Sequence, residues 1–287
     1  MLTRSDFILA LRTAGLKPGD TALVQSDLLR IGPVDASPNR EEILRFYLNA
    51  LLEALGSSGT LVVLTSYEDY ARYGKPFNRQ TSPSLSGALS EYVRSRPNAV
   101  RSLHPVLSLT ALGPRAEEIC SGNHFEGFGY DSPWGRLHRM DARLLTLGYS
   151  LTPDGMTFLH YVENLYGVPY QYTKLFDYPV FDGDHEIAGC FTMPVRYLDF
   201  DIEYDQRRFK QGLVDRGLAT LAPLGRGQML ATTCGAVVAH AIDAFSSDRY
   251  VMLAQRPKFR RGEIPYDMTH PACAVDTLRR HGGDCLR

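Results

Sequence analysis

Residues 40–66 read REEILRFYLNALLEALGSSGTLVVLTS, and two periodicities meet in them. Ile43, Leu44, Tyr47, Leu48, Leu51, Leu52 and Leu55 recur at helical spacing, the stripe of an amphipathic helix over 40–55. Gly56-Ser57-Ser58-Gly59 breaks it, and TLVVLTS then runs apolar without alternation, as a buried strand does. TALVQSDLL (21–29) carries a similar apolar run ahead of the helix, ending in polar residues that suit a turn. Strand, helix and strand in succession predict an α/β layered fold around a largely buried sheet.

The pattern extends in both directions. At the start, Ser5 is a suitable N-cap, Phe7, Ile8 and Leu11 share a face, and Gly15 ends a helix. Residues 67–83 form a long loop rich in aromatic and polar side chains, a length that is usually functional in a compact domain. SLSGALSEYVR (84–94) predicts a helix, VLSLTALG (106–113) a strand, GPRAEEIC a helix with Pro114 in its first turn, and ARLLTLGYS (142–150) a strand. Residues 168–206 turn aromatic and β-prone, 206–254 return to helix and strand patterns, and 255–287 read as an irregular tail. A single domain over 1–287 with a β-rich insertion is the organisation expected.

Composition excludes several classes. The chain has 287 residues with a formal net charge of −1, so it lacks the electrostatic footprint of a nucleic-acid or anionic-membrane binder. Cys120, Cys190, Cys234, Cys273 and Cys285 are odd in number, widely spaced and form no CxxC, which predicts reduced thiols in a cytosolic protein rather than a zinc cage or disulfide framework. No apolar run reaches transmembrane length. GxGxxG after a strand, GxxxxGK[ST], HExxH and GxSxG are all missing, and Asp182-Gly183-Asp184 reads as a hairpin turn rather than a calcium loop.

Three stretches remain as carriers of chemistry. QSDLLRIG opens a helix after a strand, where backbone N–H groups face the ligand side of an α/β sheet. DSPWGRL (131–137) opens another, capped by Asp131 or Ser132 with Pro133 in the first turn, an anion site that Arg136 can assist. FLHYVENLYG (158–167) has Phe158, Leu159, Val162, Leu165 and Tyr166 on one face and Gly167 as its C-cap. His160 and Glu163 lie on the polar side, about 60° apart around the axis. A di-metal bundle motif needs Glu before His and a second copy, so no metal is expected. A solvated charge pair and a base with its orienting carboxylate both stay open on residues alone.

The segments taken in order are similar to the aminoglycoside 3-N-acetyltransferase family. The likeness runs through LVQSDLLRIGPV, GTLVVLTSY, PFNRQTSPSLSGALSEYVRSRPNAVRSLHPVLSLTALGPRAEE, FGYDSPWGRLHRMDARLLTLG and TFLHYVENLYGVPYQY, densest over 20–175. The family commonly has His-Ser-Ser where this chain has Gln25-Ser26-Asp27. The resemblance implies a three-layer α/β/α sandwich around a mixed sheet and an acetyl-CoA-dependent N-acetyltransferase. It also implies CoA against the QSDLL turn (Gln25, Ser26, Asp27, Leu28) and the SLHPVLS segment (Ser102, His104, Ser108), with Arg136 assisting. The LHYVE helix supplies the base, His160, with Glu163 orienting it or binding the acceptor's ammonium.

An amine attacking a thioester must lose a proton, and an imidazole with an ordinary pKa near ~6.5 can take it at neutral pH. Direct attack in a ternary complex requires no cysteine. For an amine-bearing, hydroxylated acceptor, Tyr67, Glu68, Asp69 and Tyr161 supply carboxylates and aromatic faces, and the acidic stretch Asp199–Asp205 is a second source. The expected partner is this small-molecule amine, an aminoglycoside or amino sugar, with no nucleic acid or membrane, and a homodimer is left open. A biosynthetic acyl-CoA N-acyltransferase acting on another small amine or a nucleotide-linked amino sugar, and a non-catalytic CoA-binding relative, are the competing readings.

Overall fold

The computed structural model describes residues 1–197 and 200–260, and its first half follows the strand–helix alternation. The chain runs α1 (Arg4–Thr13), β1 (Thr21–Ser26), α2 (Leu28–Ile31), α3 (Arg40–Leu55), β2 (Thr60–Leu64), α4 (Asp69–Tyr73), β3 (Phe77–Asn78) and α5 (Ala88–Arg94). It continues through β4 (Val100–Arg101), β5 (Leu109–Leu112), α6 (Ala116–Cys120), α7 (Pro133–Arg139), β6 (Arg143–Leu147) and α8 (Phe158–Tyr166). Then come β7 (Gln171–Phe176), β8 (Val180–Asp182), β9 (His185–Glu186), β10 (Phe191–Arg196), α9 (Arg207–Asp215), β11 (Thr220–Leu224), β12 (Gly227–Thr233) and α10 (Cys234–Ser247).

The main sheet has the order β11-β12-β6-β1-β2-β5-β4. Its centre is parallel, with β1 between β6 and β2, and antiparallel pairs extend it on both sides. Strand geometry sends alternate side chains to opposite faces. Thus Ala22, Val24, Leu61, Val63, Leu145 and Leu147 pack beneath α1, α3 and α5. Leu23, Val62 and Leu144 join the opposite core with Trp134 of α7, Phe158 of α8 and Val237 of α10. The result is an α/β fold with a mixed sheet and helices on both of its faces.

Several local expectations are corrected. The cap of α1 is Thr3, in a reciprocal capping box with Asp6, rather than Ser5. The stretch 67–83 holds α4 and the edge strand β3, which pairs with β8. Gly183-Asp184 does connect a hairpin, β8 to β9. Cys120 and Cys234 are buried free thiols, whereas Cys190 is disulfide-bonded; separation along the chain says nothing of closeness in space. Among the described residues, no helix is long and apolar enough to cross a membrane.

Gly148, directly after β6, has φ +86°, and a Cβ there would lie 2.1 Å from the carbonyl oxygen of Asp27. The glycine lets the end of β6 close against the turn that follows β1. Gly148→Ala combines backbone strain with that clash, so it is expected to lower the unfolding free energy by about 2–4 kcal/mol in urea titrations. A loss below about 0.5 kcal/mol contradicts the close approach.

Candidate active site

The helix α8 starts beyond the end of β6, and its N-cap residue Thr157 makes no side-chain cap of its own. The side chain of Gln25, at the end of β1, takes over that role. Thr157 donates its backbone N–H to Gln25 Oε1 at 2.9 Å, and Gln25 Nε2 donates to the Thr157 hydroxyl at 2.9 Å. One first-turn N–H that the helix cannot satisfy internally is thereby paired. The other end stops at Gly167, which is left-handed with φ 76°.

Phe158, Leu159, Tyr161, Val162 and Glu163 are the buried residues of α8. Leu165 and Tyr166 are exposed instead, so the inner face is rotated from the purely apolar one. Glu163 has no exposed side-chain surface, while His160 beside it is 31% exposed. A buried carboxylate must be fully hydrogen-bonded, and this one is. His160 Nδ1 lies 2.7 Å from Oε2, the Tyr170 hydroxyl donates to Oε1 at 2.6 Å, and Gln171 Nε2 donates to Oε2 at 2.8 Å. The Tyr204 hydroxyl adds a longer bond of 3.3 Å to Oε2.

Burial, reinforced by the Glu163 charge, drives the pKa of both Tyr170 and Tyr204 far above the ordinary phenol value. Both therefore stay protonated and serve as donors. With Nδ1 donating to the carboxylate, the neutral imidazole carries its lone pair on Nε2. His160 lines a cleft of about 430 Å³ with Glu68 and Arg72 of the α4 region, Val106 and Leu107, Phe128, and Met193 and Arg196 of β10. The Tyr204 ring lies on the imidazole, with centroids 4.7 Å apart.

Of the residues singled out from the sequence, the structure brings His160 and Glu68 to this cleft, with Glu163 buried behind His160. Asp69 is ion-paired with Lys75 at 2.6 Å, and the Tyr67 ring is tilted against Phe77 with centroids 6.1 Å apart. Tyr161 is buried, with its hydroxyl 3.0 Å from His138 Nδ1; as the neighbour of His160 it faces the core rather than the cleft. Asp27 caps α2 and pairs with Arg30 at 3.0 Å, and Ser26 and Leu28 flank it half-buried.

Ser102, His104 and Ser108 are buried and internally bonded: Ser102 Oγ accepts from Leu109, and Ser108 Oγ donates to Thr65. Arg136 donates to the carbonyls of Glu118 and Ser121 at 2.9 Å, so its charge closes a loop. In the acidic stretch, Asp199 lies outside the described residues, and Asp205 pairs with Arg207 at 2.6 Å. Sequence reasoning did not single out Tyr170, Gln171, Tyr204 or Arg196. Tyr170 and Gln171 stand in the VPYQY segment after α8, and Tyr204 lies inside the Asp199–Asp205 stretch, which enters the sequence reasoning only as a whole. Among the described residues no cluster of three or more His, Cys, Asp or Glu is placed to hold a metal.

Comparison with known proteins finds relatives over most of the chain. The sequence pattern of the aminoglycoside 3-N-acetyltransferase family matches residues 23–246. The chain is 30% identical over 268 residues to aminoglycoside N(3)-acetyltransferase VII of Streptomyces paromomycinus, an alignment covering 85% of this chain and 88% of that protein. It superposes on the crystal structure of aminoglycoside acetyltransferase AAC(3)-IIb with a TM-score of 0.74 and 24% identity, covering 89% of this chain and 99% of the other. The structure of AAC-IIIb with CoASH superposes with a TM-score of 0.72 at 22% identity, covering 89% and 99%.

His104 yields a test of the packing beside the cleft. Its Nδ1 accepts from the Leu107 amide at 3.0 Å, and Nε2 donates to the Thr192 carbonyl at 3.2 Å. Burial holds its pKa down from 6.5 to about 4. The unfolded chain therefore binds this proton first. The stability linked to His104 is whole above pH 6.5 and is lost as pH falls toward 4, by up to about 3 kcal/mol. Urea midpoints at pH 7 and pH 4.5 should fall less between the two for His104→Gln than for the wild type; equal falls contradict the buried, neutral imidazole.

Proposed function

The chain belongs to the aminoglycoside 3-N-acetyltransferase family, and from that premise we propose that it transfers the acetyl group of acetyl-CoA to a primary amine of an aminoglycoside or related amino sugar, with His160 as general base. The observation that carries the reading is the 2.7 Å contact of His160 Nδ1 with a carboxylate of zero exposure, at the wall of a cleft. In this reading Nε2 is left for the incoming amine, and the carboxylate stabilises the imidazolium formed on proton uptake.

Acetyl-CoA, when bound, supplies an activated acyl group, and the apolar wall of Val106, Leu107, Phe128 and Met193 fits a thioester arm. His160 accepts the proton of the attacking nitrogen while the C–N bond forms and the C–S bond breaks. It can then return that proton to the departing thiolate. A covalent acyl-enzyme on cysteine is disfavoured by both buried free thiols. Burial pushes Cys120 up to about 12 and Cys234 well above its ordinary value, which keeps each in the unreactive thiol form. The transfer is therefore read as direct, within a ternary complex that needs no cysteine nucleophile.

His160→Ala should retain CoA affinity within about threefold and lose at least ~100-fold in turnover, the scale of a general base. Thiol release assayed across a panel of amino sugars checks this. Turnover close to wild type removes His160 from the chemistry.

A further inference from the structure

The charges around the cleft point to a narrower acceptor class, an inference that rests on the acyl-transfer reading of the same cleft. Its ionisable lining, besides His160 and Tyr204, consists of Glu68, Arg72 and Arg196. Glu68 and Arg72 neutralise each other at 3.0 Å. Nearby acids are also committed: Asp69 to Lys75, Asp201 to Lys258 and Asp205 to Arg207, while Glu163 is enclosed by its four donors. Arg196 differs from them. Its Nη1 donates to the Ile202 carbonyl at 3.1 Å, and its guanidinium lies 4.9 Å from the centroid of the Tyr204 ring. Among the described residues it has no carboxylate partner.

A guanidinium offers five N–H donors in a rigid fork matched to a carboxylate or phosphate. Tyr204 packs against both this group and the His160 imidazole, so cation and base share one aromatic ring. Among the described residues the one lining charge without an opposite partner is this guanidinium, and it suits a polycation poorly, because like charge across a confined site opposes binding. We propose that the acceptor is an amino sugar bearing an anionic substituent, a phosphate or a sugar-linked phosphodiester, with its amine at His160 and its anion on Arg196.

Calorimetry on the CoA-loaded protein tests this with glucosamine, glucosamine 1-phosphate, glucosamine 6-phosphate and the polycation sisomicin, for wild type, Arg196→Gln and Arg196→Lys. At least one phosphorylated sugar should bind about tenfold or more tightly than glucosamine, the scale of a charge-assisted hydrogen-bonded pair. Arg196→Gln should shrink that advantage below about threefold, and Arg196→Lys should keep part of it. Tightest binding by sisomicin, no phosphate advantage in the wild type, or an advantage that survives Arg196→Gln overturns the proposal. So does an Arg196→Gln effect confined to CoA affinity, which would assign the guanidinium to the cofactor. If the binding order appears as expected but no amine releases thiol from acetyl-CoA, the acyl-transfer reading fails and the anion preference stands.

Discussion

The carboxylate of Glu163 is a full negative charge with no solvent contact, and the site is organised around satisfying it. Left alone in an apolar interior such a group would cost several kcal/mol or take up a proton. Here an imidazole, two phenols and a carboxamide surround it. Each donor is fixed in turn by what it gives up. His160 must present Nδ1–H inward, Tyr170 and Tyr204 must stay protonated, and Gln171 spends its amide hydrogens on Glu163 and the Tyr204 hydroxyl. Removing the carboxylate would take the shared acceptor from all four donors, which is why a buried charge of this kind specifies geometry as well as stability.

The fold delivers these groups from separate places. The parallel centre β6-β1-β2 sets the end of β1 beside the start of α8, so that Gln25 reaches the backbone of Thr157. Gly167 turns the chain out of α8 and brings Tyr170 and Gln171 back onto the inner face of the same helix. The segment following β10 then lays Tyr204 across His160. The helix carrying the base is held at its start by the sheet and along its flank by the strands after it. Such support from two sides is what a base needs if its lone pair is to hold one direction.

Much of this was legible in the sequence. The period change at Gly56 marked the α3–β2 junction, and α3 itself begins and ends at Arg40 and Leu55 as its apolar stripe requires. His160 and Glu163 could be paired by spacing alone. Their environment could not: a helical wheel puts Glu163 on the polar side, and only the later strands reveal that this side is covered. For the same reason Tyr161 was assigned to the acceptor when it packs in the core. Gln25 was legible as the residue at a strand end, but its role as a helix cap depends on the sheet order β6-β1, which no local pattern encodes. His104 looks like a polar loop residue and Ser108 like a serine tolerated in a strand, yet backbone groups nearby consume their hydrogen-bonding capacity.

The central claim is that a buried carboxylate sets the tautomer of His160 so that Nε2 is the base. Nitrogen-15 NMR of histidine-labelled protein, with the His160 signals assigned by their loss in His160→Gln, reads the tautomer directly at a pH where the ring is neutral. The account predicts a protonated Nδ1 and an unprotonated Nε2 in the wild type. A neutral His160 with its proton on Nε2 would contradict it, because the carboxylate could then neither orient the ring nor leave its outer nitrogen free to accept a proton.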